Sequence, residues 1–495
     1  MLCLGIDFGT SAIKLTIWDA GSNRSLVTVR YPEEEAPILS LQEGWAEQSP
    51  EDWWIYLQQA LRKAHASGLY APADIKAIGI SYQMHGLVLL NKEGKCLRNS
   101  IIWCDSRAVT IGEQTQAALG SAYCLEHLLN LPGNFTASKL AWVQKHEPEL
   151  FRQIQYVMLP GDYISYRLTG VATTTPAALS EGMFWDFSTN QLAEKLFQYH
   201  QWSPAWIPDI RSVFGNHGEL TPIAAAALQL SVGIPVTYKA GDQMNNAWSL
   251  GVLHSGEVAA SAGTSGVIYA VTDQVKSDPH GRINTFAHVN HSSEKINLGL
   301  LMCINGAGIL NKWIRKLIGS NYSYEQMNYL AASVAPGADG LNFFPFGNGV
   351  ERMLENKLVQ AHLLHIDLNR HSQAHLFRAA QEGVAFAFRY GLDILHAMQV
   401  TTNLIKAGRA NLFLSDVFTE AFVQVTQTPL ELYDTDGSLG AARGAAKGVG
   451  CFPSDKAVFE TDVPLKRIEP DHQVGRWDEL YQNWQHELIK QINNS

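Results

Sequence analysis

The sequence predicts an α/β protein built from two large domains of similar design. The chain has 495 residues, of which 46% are hydrophobic and 17% charged, so it is globular and too long for a single hydrophobic core. Segments patterned as strands are followed by segments with helical spacing along its length. A strand–turn–strand unit with a Gly-Thr-Ser turn occurs twice, at residues 2–18 and 257–273. Such a repeat half a chain apart indicates a duplicated domain.

The first of these hairpins carries groups that suit a phosphate with a divalent cation. Asp7 stands near the end of its first strand, and Thr10 and Ser11 lie in its turn. Backbone N–H groups and hydroxyls in such a turn can receive an anion, and the nearby carboxylate can face a cation. The stretch is not a P-loop, because it lacks the Gly-x-x-x-x-Gly-Lys-[Ser/Thr] pattern before a helix. A single Gly-Thr-Ser turn is explained well enough by an ordinary hairpin. Two such turns, the first with a nearby acid, favour a ligand-binding site.

Charge and cysteine content narrow the class of partner. The net charge of -10 argues against nucleic acid as a main partner, since phosphate backbones are held by basic surfaces. The six cysteines are scattered without a Cys-x-x-Cys pair, which is typical of reduced thiols in the cytoplasm. We also expect no membrane association, because there is no leader segment and no uncharged run of about 18 residues.

Several helices have clear start signals. Ser49 is a good N-cap, Pro50 suits the first helical position, and apolar residues as far as Leu61 fall on one face. Ser372 opens a long helix in the second half, and the tail over residues 477–492 is amphipathic. These segments predict helices on either side of the strands.

Two loops in the first half follow apolar strands and carry polar and aromatic side chains. The first follows a strand over residues 75–81, and the second follows an apolar run at residues 101–102. Their candidate ligand-binding side chains are Gln83, His85, Trp103, Asp105 and Arg107. Such a set could form a sugar-sized polar pocket with an aromatic wall. Structural hydrogen bonds in the first loop and a surface Asp–Arg pair in the second remain the alternatives.

Asp242 is the most informative acid in the chain. A predicted strand over residues 233–241 delivers it to the start of a helix rich in small residues. A carboxylate in this place could orient an attacking hydroxyl group and accept its proton. The alternative is that Asp242 only caps the helix. Its position just before the second Gly-Thr-Ser hairpin, near an expected domain boundary at residues 251–256, favours the catalytic interpretation.

The second half contains glycine-containing segments suited to close approach. Residues 304–310 open a helix with small side chains, and residues 403–411 predict a strand, a glycine and a helix. Glycines allow a flat ligand to approach the backbone, although helix packing explains them equally well. Residues 436–446 predict a small-residue helix that packs closely beneath a cleft.

The motifs in this order resemble the FGGY family of carbohydrate kinases. The match extends over nearly the whole chain, and each motif is short, but their order and spacing together are specific. The matching segments are residues 5–11, 45–48, 83–86, 103–107, 135–143, 241–242, 262–266 and 440–443. The Gln-Met-His-Gly loop at residues 83–86 resembles the family's D-xylulose kinases more than its glycerol kinases.

This resemblance implies two actin/hexokinase-like (ribonuclease H-like) α/β domains with a central cleft. Residues 1–253 would bind the sugar and supply the catalytic base, and residues 254–495 would bind the nucleotide. The implied reaction transfers the γ-phosphoryl group of ATP, with Mg²⁺, to a sugar hydroxyl. D-Xylulose is the expected acceptor, and ribulose, glycerol or gluconate is the alternative. A non-catalytic sugar- or nucleotide-binding protein is the less favoured hypothesis, and a homodimer is expected by family analogy alone.

The resemblance also assigns roles by position. Asp242 is the implied catalytic base, and Asp7 faces the metal. The implied sugar-binding set is Met84, His85, Trp103, Asp105, Arg107 and Asp242. The implied set for phosphates and nucleotide is Thr10, Ser11, Lys14, Gly263, Thr264, Gly308, Gly408 and Asn411. Where the family has a glycine run, this chain has Lys406 and Ala407 before Gly408, and we expect these side chains to crowd the adenine side.

Overall fold

The computed structural model describes residues 1–318, 322–471 and 474–494. The strands are β1 (Leu2–Phe8), β2 (Ile13–Asp19), β3 (Arg24–Tyr31), β4 (Glu47–Gln48), β5 (Ile75–Tyr82), β6 (Val88–Leu90), β7 (Ser100–Ile101), β8 (Tyr156–Met158), β9 (Thr173–Thr174), β10 (Trp185–Asp186), β11 (Gln191–Leu192), β12 (Asp209–Ile210), β13 (Val236–Gly241), β14 (Glu257–Ala262), β15 (Gly266–Thr272), β16 (Asn284–Ala287), β17 (Leu298–Ile304), β18 (Asn342–Phe346), β19 (Gln360–Leu364), β20 (Leu404–Gly408), β21 (Leu430–Tyr433) and β22 (Lys466–Ile468).

The helices lie between these strands, as the spacing of apolar residues predicts. They are α1 (Pro50–His65), α2 (Val109–Leu119), α3 (Ser121–Tyr123), α4 (Thr136–His146), α5 (Pro148–Phe151), α6 (Pro160–Thr169), α7 (Pro176–Glu181), α8 (Glu194–His200), α9 (Pro222–Leu228), α10 (Asp242–Ser249), α11 (Ala307–Ile318), α12 (Tyr324–Ala332), α13 (Gln373–Ala397), α14 (Asp416–Thr426), α15 (Gly437–Gly448) and α16 (Val474–Asn494).

Predicted helix starts are confirmed where the sequence supplied a cap. The Ser49 side chain accepts a hydrogen bond from the Asp52 backbone N–H at 3.3 Å, and Pro50 is the first residue of α1. Trp53 and Leu57 on the inner face of this helix are buried. Ser372 likewise precedes α13 as its N-cap. The caps satisfy N–H groups that have no partner inside the helix, which is why these residues mark the starts.

The first compact unit of the chain contains residues 1–253, 285–298 and 436–462. Its main sheet has the order β13–β5–β1–β2–β3. Strands β1, β2 and β3 form an antiparallel meander, and β5 and β13 run parallel to β1. The three parallel strands are buried along most of their length, which is typical of strands covered on both faces.

Helix α15 lies against this sheet with very small side chains at the contact. A Cβ atom on Gly5 would stand 1.9 Å from the carbonyl oxygen of Ser438, and one on Gly79 would stand 1.9 Å from that of Ala441. Any side chain on these strand residues would therefore push the helix away. This agrees with the close packing predicted for residues 436–446.

The second unit contains residues 254–284, 299–435 and 463–495. Its sheet includes strands in the order β17–β15–β14–β20–β21–β22. As in the first unit, an antiparallel hairpin (β14 and β15) is followed by two further strands parallel to its first strand (β20 and β21). The two Gly-Thr-Ser turns thus join equivalent strands of two similar sheets, in agreement with the predicted duplication.

The predicted single division of the chain after residue 253 needs correction. The first segment of unit one does end at Leu253, but residues 285–298 and 436–462 also belong to that unit. Residues 436–462 belong to unit one because α15 packs on Gly5 and Gly79 of its main sheet, although these residues are far apart in sequence.

Two general properties follow from the described residues. Cys3, Cys96, Cys104, Cys124 and Cys451 are free thiols. Among the residues that the structure describes, no helix combines the length and apolarity needed to span a membrane.

Candidate active site

The polar residues of unit one meet at one edge of its sheet. Strands β1, β5 and β13 are parallel, so their carboxyl ends lie on the same edge, where ligands of open α/β sheets usually bind. Asp7 stands one residue before the end of β1, and Asp242 directly follows β13. Between them, β5 leads into residues 83–86, which we name the acceptor loop.

Asp7 is held by its neighbours on both sides. The Ser81 hydroxyl on β5 donates a 2.6 Å hydrogen bond to Asp7 Oδ1, and Lys14 faces Asp7 across the β1–β2 pair. Lys14 Nζ lies 3.1 Å from Asp436 Oδ2. Burial raises the pKa of the Asp7 carboxyl and the charge of Asp436 adds to the rise, whereas Ser81 and Lys14 oppose it.

Asp436 is a site residue that the sequence prediction missed. Burial alone would raise the pKa of its carboxyl, but the charge of Lys14 and hydrogen bonds from the Leu439 N–H and the Ser438 hydroxyl lower it overall. The residue caps α15. Its position before a Gly-Ser pair indicated a helix start but gave no sign that this start lies beside Asp7.

Gly437 provides a test of the position of Asp7. A Cβ atom at Gly437 would stand 2.4 Å from Asp7 Oδ2, and the short Asp7 side chain is tied to Ser81, so the carboxylate would have to move. We expect Gly437→Ala to lower kcat on the order of 10²-fold, the cost of misplacing a reacting group by about 1 Å. Gly133→Ala is the matched control, because its Cβ would meet no atom within 4 Å. Equal kcat values for the two variants would show that the position of Asp7 is unimportant.

Asp242 has the properties of a proton acceptor near neutral pH. Burial is the main cause that raises the pKa of its carboxyl to about 7, the negative charge of Asp7 adds to this, and hydrogen bonds from Gln243 oppose it. A general base is most effective when its pKa lies near the working pH. Gly241 occupies the N-cap position of α10, and Asp242 is the first residue of the helix.

The acceptor loop presents a buried methionine and a strained histidine. Met84 is buried, and His85 has a left-handed backbone with φ 61°, which is uncommon outside glycine. His85 Nδ1 lies 2.9 Å from the carbonyl oxygen of Glu181. Because a carbonyl oxygen only accepts hydrogen bonds, Nδ1 must carry the hydrogen. The ring packs against Phe135 and Phe286, which fix its orientation.

Trp103 and Thr10 lie together near this loop. Trp103 is 49% exposed, and its Nε1 donates a 2.8 Å hydrogen bond to Thr10 Oγ1. The Thr10 hydroxyl donates in turn to Gln83 Oε1 at 3.2 Å. An exposed indole ring beside the hairpin turn can form the aromatic wall that the sequence predicts. Gln83 makes a structural hydrogen bond. Ser11 is exposed in the same turn.

Asp105 and Arg107 lie in a buried ion-pair cluster, contrary to the expectation that they contact a sugar. Arg107 Nη2 is 2.7 Å from Asp105 Oδ2, and Nη1 is 2.7 Å from Glu47 Oε1. The guanidinium also lies 3.7 Å from the ring centre of Trp45. Asp105 accepts a further hydrogen bond from the Ala46 N–H. Their charged groups are thus engaged inside the protein, so both residues support the site rather than line it.

Unit two contains a cavity of about 530 Å³ at the Gly-Thr-Ser turn. Its lining includes four residues of the predicted nucleotide set: Gly263, Thr264, Gly308 and Asn411. The Gly308 N–H donates to the carbonyl oxygen of Gly263 at 2.8 Å, and the Ile309 N–H donates to that of Thr264 at 3.0 Å. A Cβ at Gly308 would stand 2.2 Å from Gly263 O, so only glycine fits this contact.

The residues that replace the family's glycines do not narrow this cavity. Lys406, on β20, points its ammonium group to Glu257 Oε1 at 3.2 Å, and Ala407 is fully buried in the sheet. Neither residue belongs to the cavity lining, and neither does Gly408, which ends β20. The expected crowding is therefore absent from the cavity walls, and Gly408 is the one residue of the predicted set in unit two that does not line the cavity.

The described residues hold no group of three or more His, Cys, Asp or Glu side chains that could bind a metal on their own. Mg²⁺ keeps several water ligands and is commonly held by one or two carboxylates together with substrate phosphates. Asp7, with Asp436 nearby, fits this second arrangement.

The fold and the site together define a class of protein. It has two sheets of the same design, a carboxylate that titrates near neutrality and a glycine-lined cavity. These are the features of two-domain phosphotransferases with the actin/hexokinase-like fold.

The chain belongs to the FGGY family of carbohydrate kinases. The N-terminal domain model of that family matches residues 2–248, and its C-terminal domain model matches residues 258–448. The chain is 30% identical over 474 residues to a xylulose kinase of Escherichia coli strain K12, an alignment that covers 95% of this chain and 94% of that protein. Family membership confirms the predicted ATP-dependent carbohydrate kinase and its two-domain α/β fold.

Solved structures agree with this assignment. The chain is similar to the xylulose kinase from Rhodospirillum rubrum, with a TM-score of 0.86 and 25% identity over 99% of both chains. It is also similar to a Plasmodium falciparum glycerol kinase solved with ADP, with a TM-score of 0.90 and 20% identity over 99% of this chain and 98% of the other. The second similarity concerns the fold alone.

Proposed function

We propose that the protein transfers the γ-phosphoryl group of MgATP to the terminal hydroxyl group of D-xylulose, giving D-xylulose 5-phosphate. The observation that carries the proposal is the position of Asp242, which stands at the same sheet edge as the Met84–His85 loop and titrates near neutral pH. The similarity to xylulose kinases over nearly the whole chain supports the choice of acceptor.

On the acceptor side, the chain's own residues would position the sugar. Asp242 would orient the terminal hydroxyl and take its proton as the bond to phosphorus forms. His85, fixed with its hydrogen on Nδ1, and Trp103, with its exposed ring, would contact the sugar hydroxyls and carbon face. Asp105 and Arg107 would hold the second loop in shape.

On the nucleotide side, Gly263, Thr264, Gly308 and Asn411 would bind ATP in the cavity of unit two. Thr10, Ser11 and Lys14 of the first hairpin would contact the phosphate groups of ATP. Asp7 would hold the Mg²⁺ of MgATP through water, and this ion would neutralise charge on the phosphates. Because the transition state of phosphoryl transfer is loose, positioning and charge account for most of the catalysis.

The pKa of Asp242 predicts a pH dependence. Only the deprotonated carboxylate can accept the proton of the sugar hydroxyl, so kcat at saturating MgATP and sugar should rise as pH increases through about 7. The measurement is a kcat profile with a coupling system in excess at each pH. A kcat that is flat or falls from about pH 6 to about pH 8 would rule out Asp242 as a base with a pKa of about 7 in the enzyme–substrate complex, the state that kcat reports.

The product identifies the reaction. Phosphorus NMR of a mixture of enzyme, MgATP and D-xylulose should show ADP and one new phosphate monoester on the terminal carbon. Asp242→Asn protein, which keeps the fold but lacks the base, is the control for contaminating kinases. Product from ribulose, glycerol or gluconate but not from D-xylulose would keep the kinase and replace the acceptor. Sugar binding without any new phosphate ester would indicate a non-catalytic binding protein.

A further inference from the structure

Lys139 on α4 is a fully buried lysine whose ammonium group forms no ion pair with any carboxylate of the described residues. Its side chain is 0% exposed, and Nζ donates hydrogen bonds to two backbone oxygens, His85 O at 2.8 Å and Asn134 O at 3.3 Å. Lys239, another buried lysine of this unit, is instead paired with Asp162 at 2.6 Å. Burying an ammonium group that has no directly paired carboxylate is costly, so the position of Lys139 calls for a reason other than stability.

One carbonyl group that Lys139 holds belongs to the acceptor loop, and the other belongs to a residue that contacts the Trp103 backbone. His85 has a left-handed backbone, and a hydrogen bond to its carbonyl oxygen helps to fix that conformation. Asn134 in turn donates from Nδ2 to the carbonyl oxygen of Trp103 at 2.7 Å. A single ammonium group therefore links the acceptor loop to the segment that presents the exposed indole ring.

Several charged groups face Lys139. Asp105 and Cys104, in the loop after β7, and Glu181, at the end of α7, favour its protonated form, whereas Arg107 opposes it. The Asp105 carboxylate is already shared with Arg107. Burial is the largest influence, and it lowers the pKa of Lys139 to about 7. The group thus changes charge in the neutral range, and its hydrogen bonds weaken when it becomes a neutral amine.

We propose that Lys139 is a positioning residue whose hydrogen bonds hold the acceptor loop in its sugar-binding conformation. The affinity for the sugar should then fall as the ammonium group loses its proton. The proposal rests on the proposed function, in which this loop contacts the acceptor. Because Lys139 contacts the backbone oxygen of His85 in the loop, we expect its effect on acceptor binding rather than on MgATP binding.

The test compares Lys139→Met, which matches the shape without the charge, with Lys139→Arg, which restores it. Lys145→Met, on the exposed face of the same helix, is the matched control. The dissociation constant for D-xylulose is measured by calorimetry without ATP, and KM for MgATP and melting temperature are measured beside it. For the wild type, we expect sugar affinity to fall roughly fivefold from about pH 6 to about pH 8.

For Lys139→Met, we expect the affinity for D-xylulose to be at least tenfold weaker, which is roughly the cost of leaving buried carbonyl oxygens without a donor. This affinity should no longer depend on pH. KM for MgATP should stay within about twofold of the wild-type value. Lys139→Arg should recover part of the affinity without the pH dependence, and Lys145→Met should behave as wild type. Wild-type sugar affinity in Lys139→Met, or an equal loss of sugar and MgATP binding, would overturn the proposal.

The experiment also separates this proposal from the proposed function. If D-xylulose binds but is not phosphorylated, the proposed function fails and the binding data still decide the role of Lys139. If ribulose, glycerol or gluconate proves to be the substrate, the same constants are measured with that compound. If neither D-xylulose nor any of these three compounds binds to the wild-type protein, both proposals are wrong.

Discussion

Replacing Asp242 by asparagine should lower kcat on the order of 10²-fold or more, the lower range for a positioned general base. The amide keeps the size of the side chain but cannot accept the proton of the sugar hydroxyl. Because asparagine keeps a side-chain oxygen that can accept the hydrogen bonds from Gln243 at the start of α10, the fold should tolerate the change. The variant should therefore keep the wild-type melting temperature and sugar affinity within a small factor.

Asp209→Asn is the matched control for this substitution. Asp209 is an exposed acid of the same unit, on the short strand β12. Steady-state ADP release at saturating MgATP and sugar measures kcat for both variants. If Asp242→Asn retained a kcat similar to that of Asp209→Asn, Asp242 would not be the base.

The second large effect is expected on stability, from Asp162→Asn. Asp162 Oδ1 accepts a 2.6 Å hydrogen bond from Lys239 Nζ, and both side chains are buried. Thr174 also donates to Asp162 Oδ2 at 2.9 Å. Removing one partner of a buried pair leaves an uncompensated charge and should cost about 3–5 kcal/mol of unfolding free energy. Guanidinium unfolding followed by tryptophan fluorescence measures this loss.

An exposed pair of the same unit provides the comparison. Lys63 and Glu33 form an ion pair whose side chains are 45% and 75% exposed. Glu33→Gln should cost less than about 1 kcal/mol, because water screens such pairs. The double variant Lys239→Met with Asp162→Asn should recover part of the loss, since it removes both charges. If Asp162→Asn were no more destabilising than Glu33→Gln, the buried pair would not stabilise unit one.

Local patterns were sufficient to predict the strands that carry the central carboxylates. Asp7 follows an apolar run and precedes a Gly-Thr-Ser turn, and Asp242 follows an apolar run and precedes a small-residue helix. Once these strands are parallel neighbours of β5, their carboxyl ends must share an edge. The acceptor loop was found in the same way, because it ends β5.

Long-range packing explains what the sequence left open. Asp436 reaches Lys14 only because α15 returns to unit one, and no local pattern announces that return. The motif that contains Asp105 and Arg107 suits a ligand site as well as a structural ion pair. In the structure, both residues are buried in an ion-pair cluster with Glu47. Lys139 stood inside a recognised helix motif, but its bonds to backbone oxygens depend on the folded loop.

The replaced glycines at Lys406 and Ala407 illustrate the same limit. Their larger side chains predicted crowding of a nucleotide, yet the direction of a side chain depends on its register in the sheet. Lys406 finds Glu257 on the neighbouring strand β14, and Ala407 is buried, so neither faces the cavity of unit two. The local sequence alone does not determine on which face of β20 the two side chains lie.

The most direct test of the proposed function is ADP release with MgATP across a panel of acceptors: D-xylulose, L-ribulose, D-ribulose, glycerol, L-fuculose and D-gluconate. The proposal predicts that kcat/KM is highest for D-xylulose, by at least about tenfold, the discrimination expected when site polar groups pair with one acceptor and not with another. A higher kcat/KM for another acceptor, or no turnover with any of them, would contradict it.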